Sequence, residues 1–335
     1  MPLSETILII MGLLTIAMFA AGICKNLPIP YTVFLVIIGI ALGSIAKNWP
    51  QLSQLQQFQL SPELVLFLFL PALIFESAFN LDARQMVKDL ASILSLAIPA
   101  LLISTAIIAV GLWWLIDLNI LLALLFGALI SATDPVAVVA LFKELGAPQR
   151  LTVLVEGESL LNDATAIVLF NIILGIVFTG SFVLTDIGGA MADFLRVFFG
   201  GALLGALSGI ILSELLYRIK AGLSAYLVMS IVLAYASFAV AEHVFHVSGV
   251  MAVLAAAICL SIFGVSRVPQ SDVHIVTEIW EVLALVCNSL LFLLVGLSID
   301  ITALLARSDA IIIAVLLVLL SRAATVYSMV PTTVR

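Results

Sequence analysis

The sequence predicts an all-α polytopic membrane protein, and composition and block length both point there. Of 335 residues 64% are hydrophobic and 10% charged, where a soluble domain carries about a quarter charged residues to wet its surface. Mean hydropathy is +1.32. The apolar residues fall in blocks of about 20, which as helix cross a hydrocarbon core of roughly 30 Å. Lipid cannot satisfy open backbone groups, and no alternating barrel pattern is present, so every span is expected to be helical.

About eleven segments follow one another, near 4–23, 28–46, 61–79, 88–116, 119–143, 149–179, 188–217, 221–241, 247–266, 272–298 and 303–330. The first lacks a basic flank and a cleavage site and reads as a retained helix. Connections are short, so residues 1–335 read as a single transmembrane domain. Odd-numbered connections hold eight basic residues (Lys25, Arg84, Lys88, Lys143, Arg150, Arg218, Lys220, Arg267), and even-numbered ones hold Lys47 alone. That bias places odd connections and the C-terminus in the cytoplasm and the N-terminus outside. The expected setting is multi-pass in a prokaryotic plasma (inner) membrane. The partner implied is the lipid bilayer, with no nucleic acid. Cys24, Cys259 and Cys287 show no pairing or metal spacing and read as packing residues. The net charge of −7 describes no solvated face, because many acids lie inside apolar blocks.

A charge at mid-bilayer costs about 2.5–3.5 kcal/mol on insertion scales, so each one calls for a partner or a function. The fifth segment holds Asp134, followed by Pro135, which cannot donate to the carbonyl of Ser131 and disfavours helix at Asp134. A helix break is expected, with free carbonyls, Ser131 and Thr133 beside a carboxylate; that set suits a dehydrated hard cation. A proline kink with Asp134 as a cap is the plainer reading. In the sixth segment Ser159 and Asp163 share one helix face, and Glu158 and Asn162 the neighbouring one. Polar glue between helices is normally Ser, Thr or Asn, which leaves Asp163 for function; Glu156 reads as interfacial. Glu76, five residues after Pro71 in the third segment, is either functional or snorkels to the interface. Arg322, the one charge of its apolar run, is expected to pair with Glu158, with snorkelling as the alternative. His243 and His246 fall in a short external connection. Glu278 and Glu281 read as interfacial, and Asn288 as helix–helix glue.

An interior with more acids than bases prefers a cation. Desolvation favours the protonated form of a carboxylate and a bound cation favours the charged form, so one group holds either H⁺ or Na⁺. That competition is itself an antiport mechanism.

The strings SATDPVAVVALF and VEGESLLNDATAIVLF, with WEVLALVCNSLLFLLVGLS further on, resemble the NhaP/NHE-type Na⁺/H⁺ exchangers, the electroneutral branch of the monovalent cation:proton antiporters. The resemblance covers essentially the whole chain. It implies a thirteen-helix, NhaA-like inverted-repeat fold with a broken crossing helix, of which about eleven helices are present; the last two are expected to be lacking. It implies Asp163 as the proton- and ion-carrying residue. A Na⁺ (or Li⁺) site completed by Thr133 through its carbonyl, Asp134 and Ser159 follows from the same motifs, with Glu76 close by. Asn162 and a Glu158–Arg322 pair would support the site, and the Asn162–Asp163 sequence implies electroneutral 1:1 exchange. The resemblance also implies a homodimer working by movement of a core domain, and no cofactor beyond the transported Na⁺ and H⁺.

A Na⁺-coupled symporter is the alternative, but no cationic group is evident to receive a substrate carboxylate. A channel would show a filter or acidic rings, and neither is present. A hydrolase would need a base beside Ser159, and no His lies at depth.

Overall fold

The computed structural model describes residues 3–24, 29–48, 61–133, 135–179, 187–264 and 270–333. In chain order the helices are α1 (Leu3–Cys24), α2 (Tyr31–Asn48), α3 (Pro62–Asn80), α4 (Ala83–Lys88), α5 (Leu90–Ile116), α6 (Ile120–Ile130), α7 (Val136–Leu145), α8 (Gln149–Thr179), α9 (Ile187–Arg218), α10 (Leu223–Phe245), α11 (Gly249–Gly264), α12 (Gln270–Ser298), α13 (Ile301–Ala306) and α14 (Ser308–Thr333). Eight of these are long and apolar enough to cross a membrane, and the apolar stretches Tyr31–Ala46, Ile120–Ile130 and Gly249–Gly264 are shorter. Together they cover the eleven expected segments, the fifth divided between α6 and α7. Many large apolar side chains point outward, among them Phe19, Trp114, Phe178 and Leu319 at 62–82% exposure. In water such a surface would be an aggregation hazard; against acyl chains it costs nothing.

Helix ends follow local chemistry. Ser61, Asp82, Asn119, Ser248 and Asp300 accept backbone N–H bonds at the starts of α3, α4, α6, α11 and α13, which meets donors that lack a partner in the first turn. Asp117, Lys220 and His246 take positive φ where α5, α9 and α10 stop. Two expectations need correction. The eleventh segment starts at Ser308 rather than 303, because Asp300 initiates the separate short helix α13 and Arg307 ends it. His243 belongs to the last turn of α10, which runs on to Phe245 as a π-helical turn, so only His246 lies in the connection.

The chain divides into two compact units. The first holds residues 1–76 and 271–308. Within it α2 and α12 meet backbone to backbone: a Cβ on Gly39 or Gly296 would collide with the main chain of the other helix. Phe75 stacks on Trp280 with centroids 4.4 Å apart, and the Tyr31 hydroxyl lies 2.8 Å from Ser289 Oγ.

The second unit holds residues 77–270 and 309–335. Gly201, Gly205 and Gly209, one turn apart on α9, lie against the backbone of Ser248, which caps α11, and of Ala252 and Ala256 at the same spacing along it. Small residues at four-residue intervals let two helices approach this closely. Ser248 N–H donates across the seam to the Val197 carbonyl at 3.0 Å. A separate apolar core joins α5, α6 and α14 through Ile108, Leu112, Ala123, Ala314 and Leu317. These two clusters frame α8, the helix that carries the acidic motif.

Candidate cation-binding site

The break between α6 and α7 is the first part of the site. α6 ends at Ile130, and α7 resumes at Val136 with Val139 N–H bonding to the Pro135 carbonyl at 2.8 Å. Between them Ser131 donates its hydroxyl to the Gly127 carbonyl at 2.6 Å and accepts from Thr105 Oγ1 at 3.2 Å. Ser131 and Thr105 are both buried. Gly127 makes this approach possible, since a Cβ there would stand 2.8 Å from the Thr105 carbonyl oxygen. Asp134 lies outside the described residues.

α8 supplies the second part. Ser159, buried, donates its hydroxyl to the Thr133 carbonyl at 2.9 Å. The break and the acidic helix are therefore joined through a main-chain oxygen that the missing helix turn leaves available. Asp163, one turn on along the same face, is exposed. The sequence suggested a buried carboxylate; α8 turns Ser159 into the packing and carries Asp163 beyond it. Gly157 on the opposite side sits against Ile93 of α5, where a Cβ would come within 2.9 Å of a methyl group.

On the neighbouring face Asn162 is 1% exposed. Its Nδ2 donates to Glu158 Oε1 at 3.4 Å, and its Oδ1 has no hydrogen-bond partner among the described residues. Arg322 Nη1 from α14 lies 3.8 Å from the same Glu158 oxygen. The three residues form a small polar cluster, beside the Ser159–Asp163 face, with partial access to solvent. Glu76 is half-buried on α3, and Glu156 half-buried on α8.

A family model described as "Sodium/hydrogen exchanger, transmembrane" matches residues 13–333. The chain belongs to this family. It is 37% identical over 305 residues to the Na(+)/H(+) antiporter ApNhaP of Aphanothece halophytica, covering 90% of this chain and 56% of that protein. It is 32% identical over 334 residues to the Na(+)/H(+) antiporter NhaH of Halobacillus dabanensis, covering 95% of this chain and 79% of the relative. Against the first relatives it spans a little over half their length, at 56%, 59% and 60%. Among solved structures the sodium proton antiporter MjNhaP1 from Methanocaldococcus jannaschii superposes with a TM-score of 0.80 at 21% identity, over 98% of this chain and 78% of that one. The exchanger fold is thus shared, with the polytopic all-helical architecture expected from the sequence.

In this exchanger-family chain Asp89 makes one contact with a local signal, to Gln85 four residues before it, and one without, to Arg150. Arg150 Nη2 binds Asp89 Oδ1 at 2.7 Å, and Gln85 Nε2 donates to Asp89 Oδ2 at 2.6 Å. The Arg150 guanidinium, then the Gln85 amide, hold the Asp89 carboxyl below its ordinary value of 3.8. Asp89 and Arg150 are 61 residues apart, so spacing could not pair them. The Thr105–Ser131 bond is equally hidden, since it joins residues 26 apart.

Proposed function

We propose that this protein exchanges Na⁺, or Li⁺, for H⁺ one for one across a prokaryotic plasma membrane, with Asp163 as the group that alternates between proton and cation. Ser159 donating to the Thr133 carbonyl at 2.9 Å is the observation that carries the reading. It brings two of the oxygens a cation needs to one point, one turn from an accessible carboxylate. A serine hydroxyl can rotate its proton away and present lone pairs. Both oxygens then face the ion, while in the proton-loaded state they satisfy each other. Asp134 completes the ligands as a fixed charge.

Glu158, Asn162 and Arg322 hold the helix that presents Asp163, and take no part in the exchange. The protein works as a homodimer with its N-terminus outside and C-terminus cytoplasmic, as the basic-residue bias implies. Family membership and the antiporter names of the relatives support the ion pair chosen.

The test uses everted membrane vesicles containing the full-length protein and a pH-sensitive dye. Adding Na⁺ alone moves protons in the parent and not in Asp163→Asn, which expresses and folds like the parent. Unaltered Na⁺-dependent proton movement in that variant removes Asp163 from the mechanism.

A further inference from the structure

Where α9 ends, α10 begins and α11 ends, the second unit forms a partly open cavity of about 270 Å³ lined by Ser213, Leu216, Tyr217, Lys220, Tyr226 and Gly264. None of these residues belongs to the cation site. Among the described residues no carboxylate lines the cavity. Among the described lining residues the one full charge is the Lys220 ammonium, which has no acidic partner within 4 Å among the described residues, while nearby Arg218 is engaged by Glu214 at 2.8 Å.

Tyr226 makes the cavity more than a surface dent. The residue is 3% exposed, and its hydroxyl has no hydrogen-bond partner among the described residues. Buried polar groups are almost always paired, and one left alone calls for a missing partner. The hydroxyl sits over Gly264: a Cβ built there would lie 2.8 Å from Tyr226 Oη and 3.4 Å from Ser213 Oγ, so the two hydroxyls converge on one spot. Gly222 starts α10 without a side-chain cap, leaving the positive end of that helix turned toward the same region. A cation, a buried donor and a helix N-terminus together describe a receptor for an anion with several acceptor oxygens.

The surroundings select the source of that anion. The cavity opens at the ends of membrane-crossing helices, next to outward-pointing Ile211, Leu215 and Ile219 at 46–65% exposure. Acyl chains would cover those side chains while the headgroup enters the cavity. The basic-residue bias puts this end at the cytoplasmic leaflet, where basic pockets between helices meet anionic headgroups. We propose that this cavity holds the phosphate of an anionic phospholipid headgroup, with Lys220 as its counter-ion and Tyr226 Oη as its buried donor.

The full-length protein, purified and delipidated in detergent, provides the test. Thermal unfolding is followed with phosphatidylglycerol, phosphatidylcholine or inorganic phosphate added at equal phosphate concentration, and bound lipid is counted by native mass spectrometry. Phosphatidylglycerol raises Tm and the other two do not. Lys220→Gln weakens the apparent lipid affinity roughly fivefold, the worth of one basic residue at a lipid surface. Tyr226→Phe weakens it about tenfold, as loss of a hydrogen bond to a charged group does. Without lipid Tyr226→Phe is no less stable than the parent, because only an unpaired hydroxyl has gone. Equal responses to phosphatidylcholine, or a full response to inorganic phosphate alone, would overturn the lipid assignment. So would parental lipid responses in both variants; Lys220 is exposed, so Lys220→Gln decides the matter even if the tyrosine variant fails to fold.

Discussion

At the scale of single residues, Glu158 separates structural from exchanging charge. Arg322 stands 3.8 Å from its Oε1, with side-chain exposures of 29% for Arg322 and 17% for Glu158. Removing Arg322 leaves a half-buried carboxylate with, among the described residues, only the Asn162 amide beside it. Arg322→Ala is therefore expected to lose about 1–3 kcal/mol of stability, between the limits for exposed and buried pairs. Adding Glu158→Ala recovers much of the loss, and thermal unfolding of the two single variants and the double variant gives the coupling. A double variant no better than Arg322→Ala would show that the two charges do not support each other. Asp89 behaves differently because it lies outside the spans. Its folded-state value is depressed by Arg150 and Gln85, so its contribution is present above 3.8 and is lost as pH falls through the lower folded value. The Tm gap between parent and Asp89→Asn should accordingly be constant near neutrality and close below pH 3.8. Within this scale the sequence revealed residue types and one charge pair, but not the hydrogen-bond partners. Ser159 and Asp163 could be put on one face from their spacing, and Arg322 could be matched to Glu158 by charge. That Ser159 reaches the carbonyl of Thr133, 26 residues away, depends on how α8 packs against α6, which no local pattern records.

At the scale of helices, the break in the fifth segment was legible because Pro135 removes a donor that the helix needs. The segment boundaries were legible to within a few residues for a similar reason: apolar runs stop where caps and charges begin. α4 and α13 were not, since each has only six residues and hydropathy averages over a longer window. The π-helical turns over Val65–Phe69, Ala241–Phe245 and Leu260–Gly264 carry no sequence signature. The α9–α11 seam makes a sharp prediction. Gly205→Ala places a methyl group into the Ala252 main chain, and the helices must separate, at about 1–3 kcal/mol. Gly12→Ala on α1 meets nothing within 4 Å and should be neutral or slightly stabilising, as alanine is the better helix former. Parallel thermal unfolding checks the pair, and equal losses at both sites would mean that the seam is not close-packed.

For the whole molecule, the proposed site sets the stoichiometry. With Asp163 as the one exchanging carboxylate and Asn162 neutral beside it, one proton is traded for one Na⁺ and no net charge crosses. Transport should then ignore membrane potential, although a single uncompensated charge would feel about 2.3 kcal/mol per 100 mV. Solid-supported membrane recordings of the full-length protein read this directly: a sustained Na⁺-driven, voltage-sensitive current would mean that a second group, such as Glu76, also carries a proton. Membership of the exchanger family and the all-helical fold were both legible from the motifs; the division into two units, each built from distant stretches of chain, was not, because it rests on packing between segments some 200 residues apart. The bond from Ser159 to Thr133 also leaves a mark on how such a protein can diverge. One end is a side chain that a single codon change can replace, while the other is a peptide oxygen that no substitution at Thr133 removes. Drift at position 133 therefore leaves this oxygen in place, and variation in this pair of oxygens must arise at Ser159 or at residues that tilt the peptide, Pro135 foremost.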